Sequence, residues 1–332
     1  MSKAPNIIYS QLYNPYTNLG IENWIFKNLI TDEPILFLWQ SSPAIIIGRA
    51  QNPWLECNLT EITKDNIPIV RRQSGGGTVF HDLGNINFTF LMPNKLYDKK
   101  KHLQTIIDAL ENISINAEIN DRNDIITKIG NQPYKLSGSA YRETKHTSFH
   151  HGTLLIQSDL PALERYLHHK IDENITAKGV SSVRSKVTSI EQINSNAVSI
   201  KNIYAEIEKA FIKNYSVSQN EALKIDDSFI SKNEEIKNYA ASINNWDWTY
   251  SKTLPFEYKL QINANDYLTV NIKQGKIINF EHNIQKENLT YLTKFLKNQP
   301  TLNKHALENL NLSTYGDYEK NILKNIIHLF TT

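Results

Sequence analysis

RRQSGGGTVFHDLGN, residues 71–85, decides the reading of this chain. The apolar run IPIV (67–70) leads into it and NINFTFLM (85–92) leads out. Three consecutive glycines between strand-like segments are costly in backbone entropy, and suit a backbone that takes positive φ or lies close against a ligand. Phosphate is the usual ligand of such loops. Arg71 and Arg72 stand just before the turn, where a guanidinium fork suits a phosphate or a carboxylate. No Gly-Lys-Ser/Thr follows, so this is not a Walker A loop. The spacing and the strand that follows also exclude a dinucleotide fingerprint. A Gly-rich hairpin turn with solvated arginines is the alternative that these residues leave open.

Outward from the loop, the pattern predicts strands at 7–13, 34–40, 44–49 and 67–73, the second and third joined by a tight turn at Ser41-Ser42-Pro43. Asn14-Pro15 opens a helix that runs to about residue 29. Short helical turns start at Asn52 and Asn58. The 78–92 segment is a strand broken at Asp82-Leu83-Gly84. Leu103, Ile106, Ile107 and Leu110 mark a central helix over 97–113. Strands follow at 117–120, 124–129, 134–141 and 148–157, then helices at 160–168 and 200–215. Strands and helices without regular alternation predict an α+β fold rather than a doubly wound sheet. The polar stretch NNWDWTYSKTLP (244–255) reads as a boundary. Beyond it come a small antiparallel sheet with a hairpin at Gln274-Gly275, and helices at 289–296, 304–310 and 318–329. The expected division is 1–245 as a catalytic domain and 246–332 as a smaller C-terminal domain.

Composition bounds the function. A chain of 332 residues with 40% hydrophobic and 21% charged residues is globular, long enough for about two domains. No apolar run approaches the ~20 residues of a membrane span, and the N-terminus lacks a signal-peptide h-region. Cys57 is the only cysteine, which excludes an intramolecular disulfide and predicts a cytoplasmic protein. The formal net charge of +2 gives no sign of a nucleic-acid partner.

Four further segments hold chemistry-bearing residues. In KLSGSAYRETKHTSFHHGTLL (135–155), Lys135 stands beside the small residues Ser137, Gly138, Ser139 and Ala140, which leave a ligand room to reach its ammonium. An ordinary surface lysine is the alternative. His150 and His151 are adjacent on a strand and point to opposite faces, so they do not read as a metal pair. RND (122–124) is a polar turn able to read a base edge or hold Mg2+. AKGVSSVRSKVTSI (177–190) reads as a loop with Lys178, Arg184 and Lys186, either a lid over an anion or a connector. Cys57 has no evident base nearby and reads as a buried structural thiol. Chemistry by positioning and electrostatics is favoured over covalent catalysis.

Together with GRAQNPWLECN (48–58), these segments resemble, in order and over nearly the whole chain, the lipoate–protein ligase A family, which includes the animal lipoyltransferases. The resemblance implies a biotin/lipoate ligase-type catalytic domain, with mixed sheets flanked by helices, plus a small α+β accessory domain. It implies that lipoate and Mg-ATP form lipoyl-AMP and pyrophosphate, and that a lysine of an acceptor lipoyl domain then displaces AMP. Acceptors would be the acyltransferase subunits of 2-oxoacid dehydrogenases and the glycine cleavage H protein.

By motif position, the resemblance assigns Arg72, Gly75, Gly76, Gly77, Thr78, Val79, Phe80, Arg122, Asp124, Lys135, Thr153, Lys178, Gly179 and Val180 to ATP and adenylate. It assigns Lys135 also to the lipoate carboxyl and to catalysis, with Mg2+ held mainly through the ATP phosphates. The lipoate slot would draw on Leu19, Trp39, Ile45, Ile47, Gly76, His81, Ser137, Gly138, Ala140 and His151. The 178–184 segment matches a loop expected to be mobile until it orders over the intermediate. Two rivals remain: a lipoyltransferase that needs preformed lipoyl-AMP, and a non-catalytic binding module. Ile156-Gln157-Ser158 stands where octanoyltransferases carry their acyl-cysteine, and the biotin-ligase signatures are missing.

Overall fold

The strand Asn85–Pro93 sits inside a six-stranded sheet, and its alternation determines what each face of that sheet carries. Ile86, Phe88 and Phe90 point to one face. There they join Leu36, Leu38 and Leu154 in an apolar core. Helices Lys99–Glu111 and Ile200–Tyr215 close that core with Leu103, Ile106, Leu110, Ile203, Ile207 and Phe211. Burying each such side chain is worth about 1.5–3 kcal/mol, so this layer is the main source of cohesion. Asn85, Asn87 and Thr89 point to the opposite face and are at most 2% exposed. A polar row this deeply buried is what a site, rather than a solvated surface, would need.

The computed structural model describes residues 5–28, 32–167, 174–179, 181–194, 199–217, 221–261, 264–283, 317, 320 and 322–324. The large sheet runs in the spatial order Ser139–Glu143, Thr147–Leu155, Asn85–Pro93, Ile35–Trp39, Ile7–Ser10, Leu223–Ile225. Its first four strands are mutually antiparallel, and the last two pairings are parallel. Helix Pro15–Asn28 begins at Asn14, whose Oδ1 accepts from the Thr17 amide at 3.0 Å, with Pro in the first helical position. It packs against helix Glu234–Ile243.

Smaller sheets carry the loop and the lysine. Ala44–Ile47 pairs in parallel with Ile69–Arg71 and antiparallel with Val79–His81, so two strands of one sheet flank the glycines. Glu118–Ile119, Ile125–Ile129 and Gln132–Ser137 form another antiparallel sheet.

Two pairing expectations change. The strands expected at 34–40 and 44–49 do not pair as a hairpin, because Ile35–Trp39 and Ala44–Ile47 lie in different sheets. The strand expected over 134–141 breaks at Gly138, and its halves likewise enter different sheets. In both cases a short break lets a chain of continuous β character leave one sheet for another. Such a switch leaves no mark on the hydrophobic pattern.

The chain divides into two units. One takes 1–49, 68–164 and 182–245; the other takes 50–67, 165–181 and 246–332. The second unit therefore draws on two segments far from a single cut at 245/246. Its four-stranded antiparallel sheet is ordered Ile175–Ala177, Phe256–Gln261, Tyr267–Lys273, Lys276–His282. Gln274 and Gly275, with φ of 54° and 67°, close the last hairpin as a type I′ turn requires. Asn52 and Asn58 cap the short helices Pro53–Glu56 and Leu59–Lys64 through their side chains, and Cys57 between them is buried. The helices expected at 289–296 and 304–310, and most of 318–329, lie outside the described residues. No helix among the described residues is long and apolar enough to cross a membrane.

Candidate active site

Arg72 determines the shape of the glycine loop. Its Nε donates to Ser74 Oγ (2.9 Å) and the Gly75 carbonyl (3.2 Å). One terminal nitrogen donates to the carbonyls of Gly75 and Gly77, both at 2.6 Å, and the other to Ile46 O at 3.0 Å. Arg71 likewise turns inward, onto the carbonyls of Gly48 and Arg49. The fork expected to grip an anion is thus spent on main-chain carbonyls. Burial brings the Arg72 pKa down to about 10, against a smaller opposing effect from Glu22.

Peptide geometry gives this clamp a consequence. In a trans peptide the C=O and the next N–H point in opposite directions. With the Gly75 and Gly77 carbonyls held on Arg72, the Gly76 and Thr78 amides face the other way. The Thr78 amide indeed donates to Ser182 Oγ at 2.9 Å. Gly76 takes φ +83°, and a Cβ there would stand 3.0 Å from Arg72 and 3.1 Å from the Ala140 Cβ. Of the three glycines it is the one whose backbone demands glycine. The loop therefore has a carbonyl side fixed by an arginine and an amide side suited to an anion.

Lys135 lies on Gln132–Ser137 with its Nζ 2.8 Å from Asp124 Oδ1. A Cβ on Gly138 would stand 3.3 Å from the Lys135 Cε and 3.7 Å from Thr153 Oγ1, so lysine, glycine and threonine are immediate neighbours. Thr153 Oγ1 accepts from the Gly138 amide at 3.2 Å. Asn120 Oδ1 accepts from the amides of Arg122 and Asp124, an Asx turn that aims the Asp124 carboxylate at the lysine. The Arg122 guanidinium reaches Ser185 Oγ at 3.4 Å. Resemblance-assigned residues from two segments, 122–124 and 135–155, thus meet here.

The apolar and aromatic positions fall on the polar face of the large sheet or beside it. Trp39 lies edge-on to His81, their ring centroids 5.6 Å apart. Burial, then Arg72 and His151, push His81 down to about 3, so it is neutral. Ile45, Ile47, Phe80, Ala140 and Ser137 are all buried. His151 has both ring nitrogens engaged, with Glu22 and with Ser74. Leu19 lines a narrow cavity together with Glu22, Asn23, Arg72, Arg142 and Tyr239. Arg142 lies over the Phe26 ring at 4.7 Å and reaches Asn23. Sequence reading assigned Glu22, Asn23, Arg142 and Tyr239 no role. A charged residue on the inward stripe of helix Pro15–Asn28 was the available signal for Glu22. Nothing local marked Tyr239.

The segment read as a loop over 177–190 has neither helix nor strand among its described residues from Lys178 to Ser189, as expected, but it is pinned at both ends. Ala177 ends a strand paired to Phe256–Gln261, and Val187 bridges Lys135, with the Lys135 amide donating to Lys186 O at 2.8 Å. Ser182, Arg184 and Lys186 belong to the first unit; Lys178 and Gly179 belong to the second, and Val180 lies outside the described residues. Among the described residues no three His, Cys, Asp or Glu side chains converge as a metal cage. Asp124 is the carboxylate at Lys135, a donor set that suits Mg2+ held mainly by phosphates and water.

Comparison with known proteins gives one answer. Residues 14–212 match the Lipoyl protein ligase A/B catalytic domain. A lipoate-protein ligase A of Bdellovibrio bacteriovorus is 38% identical over 264 residues, covering 80% of this chain and 76% of that protein. The P. falciparum protein LipL1, solved in complex with lipoate, aligns with TM-score 0.65 at 30% identity, covering 98% of this chain and 100% of that one. A lipoate-protein ligase A solved with ATP aligns with TM-score 0.59 at 20% identity, over 75% and 98% of the two chains, and shares the fold. By its matched domain, its full-length structural likeness and the motifs gathered at Lys135, the chain belongs to the lipoate–protein ligase A family.

Proposed function

We propose that this protein activates free lipoate with ATP and transfers the lipoyl group to a lysine of an acceptor lipoyl domain. The carrying observation is the Lys135 ammonium, seated against Gly138 and Thr153 and held by Asp124. In the first half-reaction a lipoate carboxylate oxygen bonds to the α-phosphorus of ATP and pyrophosphate leaves. Two anions meet in that step, and a fixed positive charge between them offsets their repulsion. An ammonium has three donors. Lys135 keeps one on Asp124 and turns the others to the carboxylate and the α-phosphate. The amide side of the 75–78 loop takes the outer phosphates. Mg2+ bound with the triphosphate neutralises further charge, and Asp124 is the carboxylate at hand for it.

In the second half-reaction an acceptor amine attacks the lipoyl carbonyl and AMP leaves. Phe80, Arg122 and Thr153 flank the adenylate in this reading. Leu19, Trp39, Ile47 and Ala140 take the apolar chain. The acceptors are the lipoyl domains of 2-oxoacid dehydrogenase acyltransferase subunits and the glycine cleavage H protein, and the reaction is cytoplasmic. The test is to incubate the protein with lipoate, ATP, Mg2+ and a lipoyl domain, and to follow the acceptor by intact mass. Lipoylation that requires both lipoate and ATP supports the reading; an unmodified acceptor, or one modified only from supplied lipoyl-AMP, contradicts it.

A further inference from the structure

A continuous buried chain of hydrogen bonds runs from helix Pro15–Asn28 to the glycine loop. Glu22 Oε1 accepts from Thr89 Oγ1 at 2.7 Å and from His151 Nδ1 at 2.8 Å. His151 Nε2 lies 2.8 Å from Ser74 Oγ. Ser74 Oγ accepts from Arg72 Nε at 2.9 Å. Arg72 then holds the carbonyls of Gly75 and Gly77. Glu22, Arg72 and Ser74 are 5% exposed or less and His151 is 9% exposed.

The network assigns the protons. A carboxylate only accepts, so His151 Nδ1 carries the hydrogen that faces Glu22. In the neutral tautomer that carries this hydrogen, Nε2 is the acceptor of the Ser74 hydroxyl proton. This leaves the Ser74 lone pairs for Arg72 Nε–H, and the guanidinium plane is set. Without His151, the Ser74 hydroxyl rotates freely, and of the two acceptors at Arg72 Nε only the Gly75 carbonyl keeps a fixed direction.

We propose that Glu22 and His151 are positioning residues that act through Ser74 and Arg72 to hold the amide side of the 75–78 loop toward the ATP phosphates. The proposal deepens the ligase reading and rests on it for the identity of the nucleotide. It assigns these two side chains to the nucleotide, although Glu22 lines the same narrow cavity as Leu19, on the side expected for the acyl chain. With both ring nitrogens of His151 engaged inside the protein, the imidazole has no polar atom left for a substrate.

The test compares Glu22→Leu, Glu22→Gln and Ser74→Ala. ATP affinity is measured by calorimetry without lipoate, and the KM values for ATP and lipoate by lipoate-dependent ATP–pyrophosphate exchange. A hydrogen bond to a charged group is at stake in each case, so Glu22→Leu and Ser74→Ala should weaken ATP by about tenfold or more. The lipoate KM should stay within about threefold, and Glu22→Gln, which keeps an acceptor for His151, should restore ATP binding to within about threefold. Ser74→Ala removes one oxygen, so it keeps the test alive if Glu22→Leu does not fold. A shift in lipoate KM with ATP affinity unchanged would make Glu22 a direct substrate contact and overturn the proposal. Unchanged ATP affinity in folded Ser74→Ala would overturn it as well. Because the affinity measurement needs no turnover, a wild-type protein that fails to exchange would sink the ligase reading while the calorimetry still decides the relay.

Discussion

The Thr78 amide donates to Ser182 Oγ at 2.9 Å, on the side of the glycine loop turned away from Arg72. In the proposed nucleotide pose this hydroxyl oxygen competes with a phosphate oxygen for the Thr78 amide. Ser182→Ala should therefore tighten ATP by about two- to tenfold, the worth of one competing hydrogen bond. Titration calorimetry of the free enzyme with ATP checks this; weaker binding would mean that Ser182 helps to hold the nucleotide.

Lys135→Ala should lower lipoate-dependent activation by about 10²–10³-fold, the usual cost of one preorganised donor at a developing charge. The fold should be intact, since the Lys135 side chain is a quarter exposed and lies beside Gly138. Asp124→Asn should cost less, because an amide still accepts from the ammonium. Single-turnover adenylate formation with a melting curve for each variant separates the two; Asp124→Asn falling as far as Lys135→Ala would make the carboxylate an equal partner in the chemistry.

Gly76→Ala should impair ATP binding and stability together. An L-residue in the left-handed region costs about 1–2 kcal/mol, and the added methyl meets Arg72 and Ala140. Gly75→Ala should be nearly neutral in stability, since a Cβ there meets nothing within 4 Å. Urea melts of both variants check the contrast; equal loss at Gly75 would show that the loop tightens beyond the geometry of the free protein.

Much of the fold could be read in advance. NINFTFLM, Asn14-Pro15, the Leu103 to Leu110 stripe and Gln274-Gly275 each signal their element through local chemistry, and each element formed as expected. The sheet to which a strand belongs could not be read that way. Pattern shows that 34–40 and 44–49 are strands, but long-range pairing puts them in different sheets. Lys135 was legible through its small neighbours. Asp124 stood out in the RND turn, but its pairing with Lys135 became visible only when the Asx turn at Asn120 was formed. Glu22 and Tyr239 come from helices whose packing partners lie some two hundred residues apart, so no local spacing joins them.

The stability of the first unit should fall in mild acid. Burial lowers His81 and His102 to about 3 and holds His150 well below the usual histidine value, so all three are neutral in the folded protein. Above pH ~6.5 the unfolded chain holds them neutral too, and they cost nothing. Below that, the unfolded state binds protons that the folded state refuses. Each histidine then removes up to about 1.4 kcal/mol per pH unit until the folded value is reached. His102 stacks on Phe90 at 5.0 Å, and neither ring nitrogen has a protein partner among the described residues. His102→Phe should therefore hold or raise stability at pH 7.5 and flatten the loss between pH 6.5 and 5. Urea unfolding at both pH values checks this; an unchanged slope would place the His102 proton elsewhere.

The most direct test of the account is exchange of labelled pyrophosphate into ATP by the wild-type protein, with and without lipoate and with no acceptor present. Exchange that appears only with lipoate, and falls by about a hundredfold or more in Lys135→Ala, is the predicted result. Absence of lipoate-dependent exchange from a folded, ATP-binding protein would contradict it.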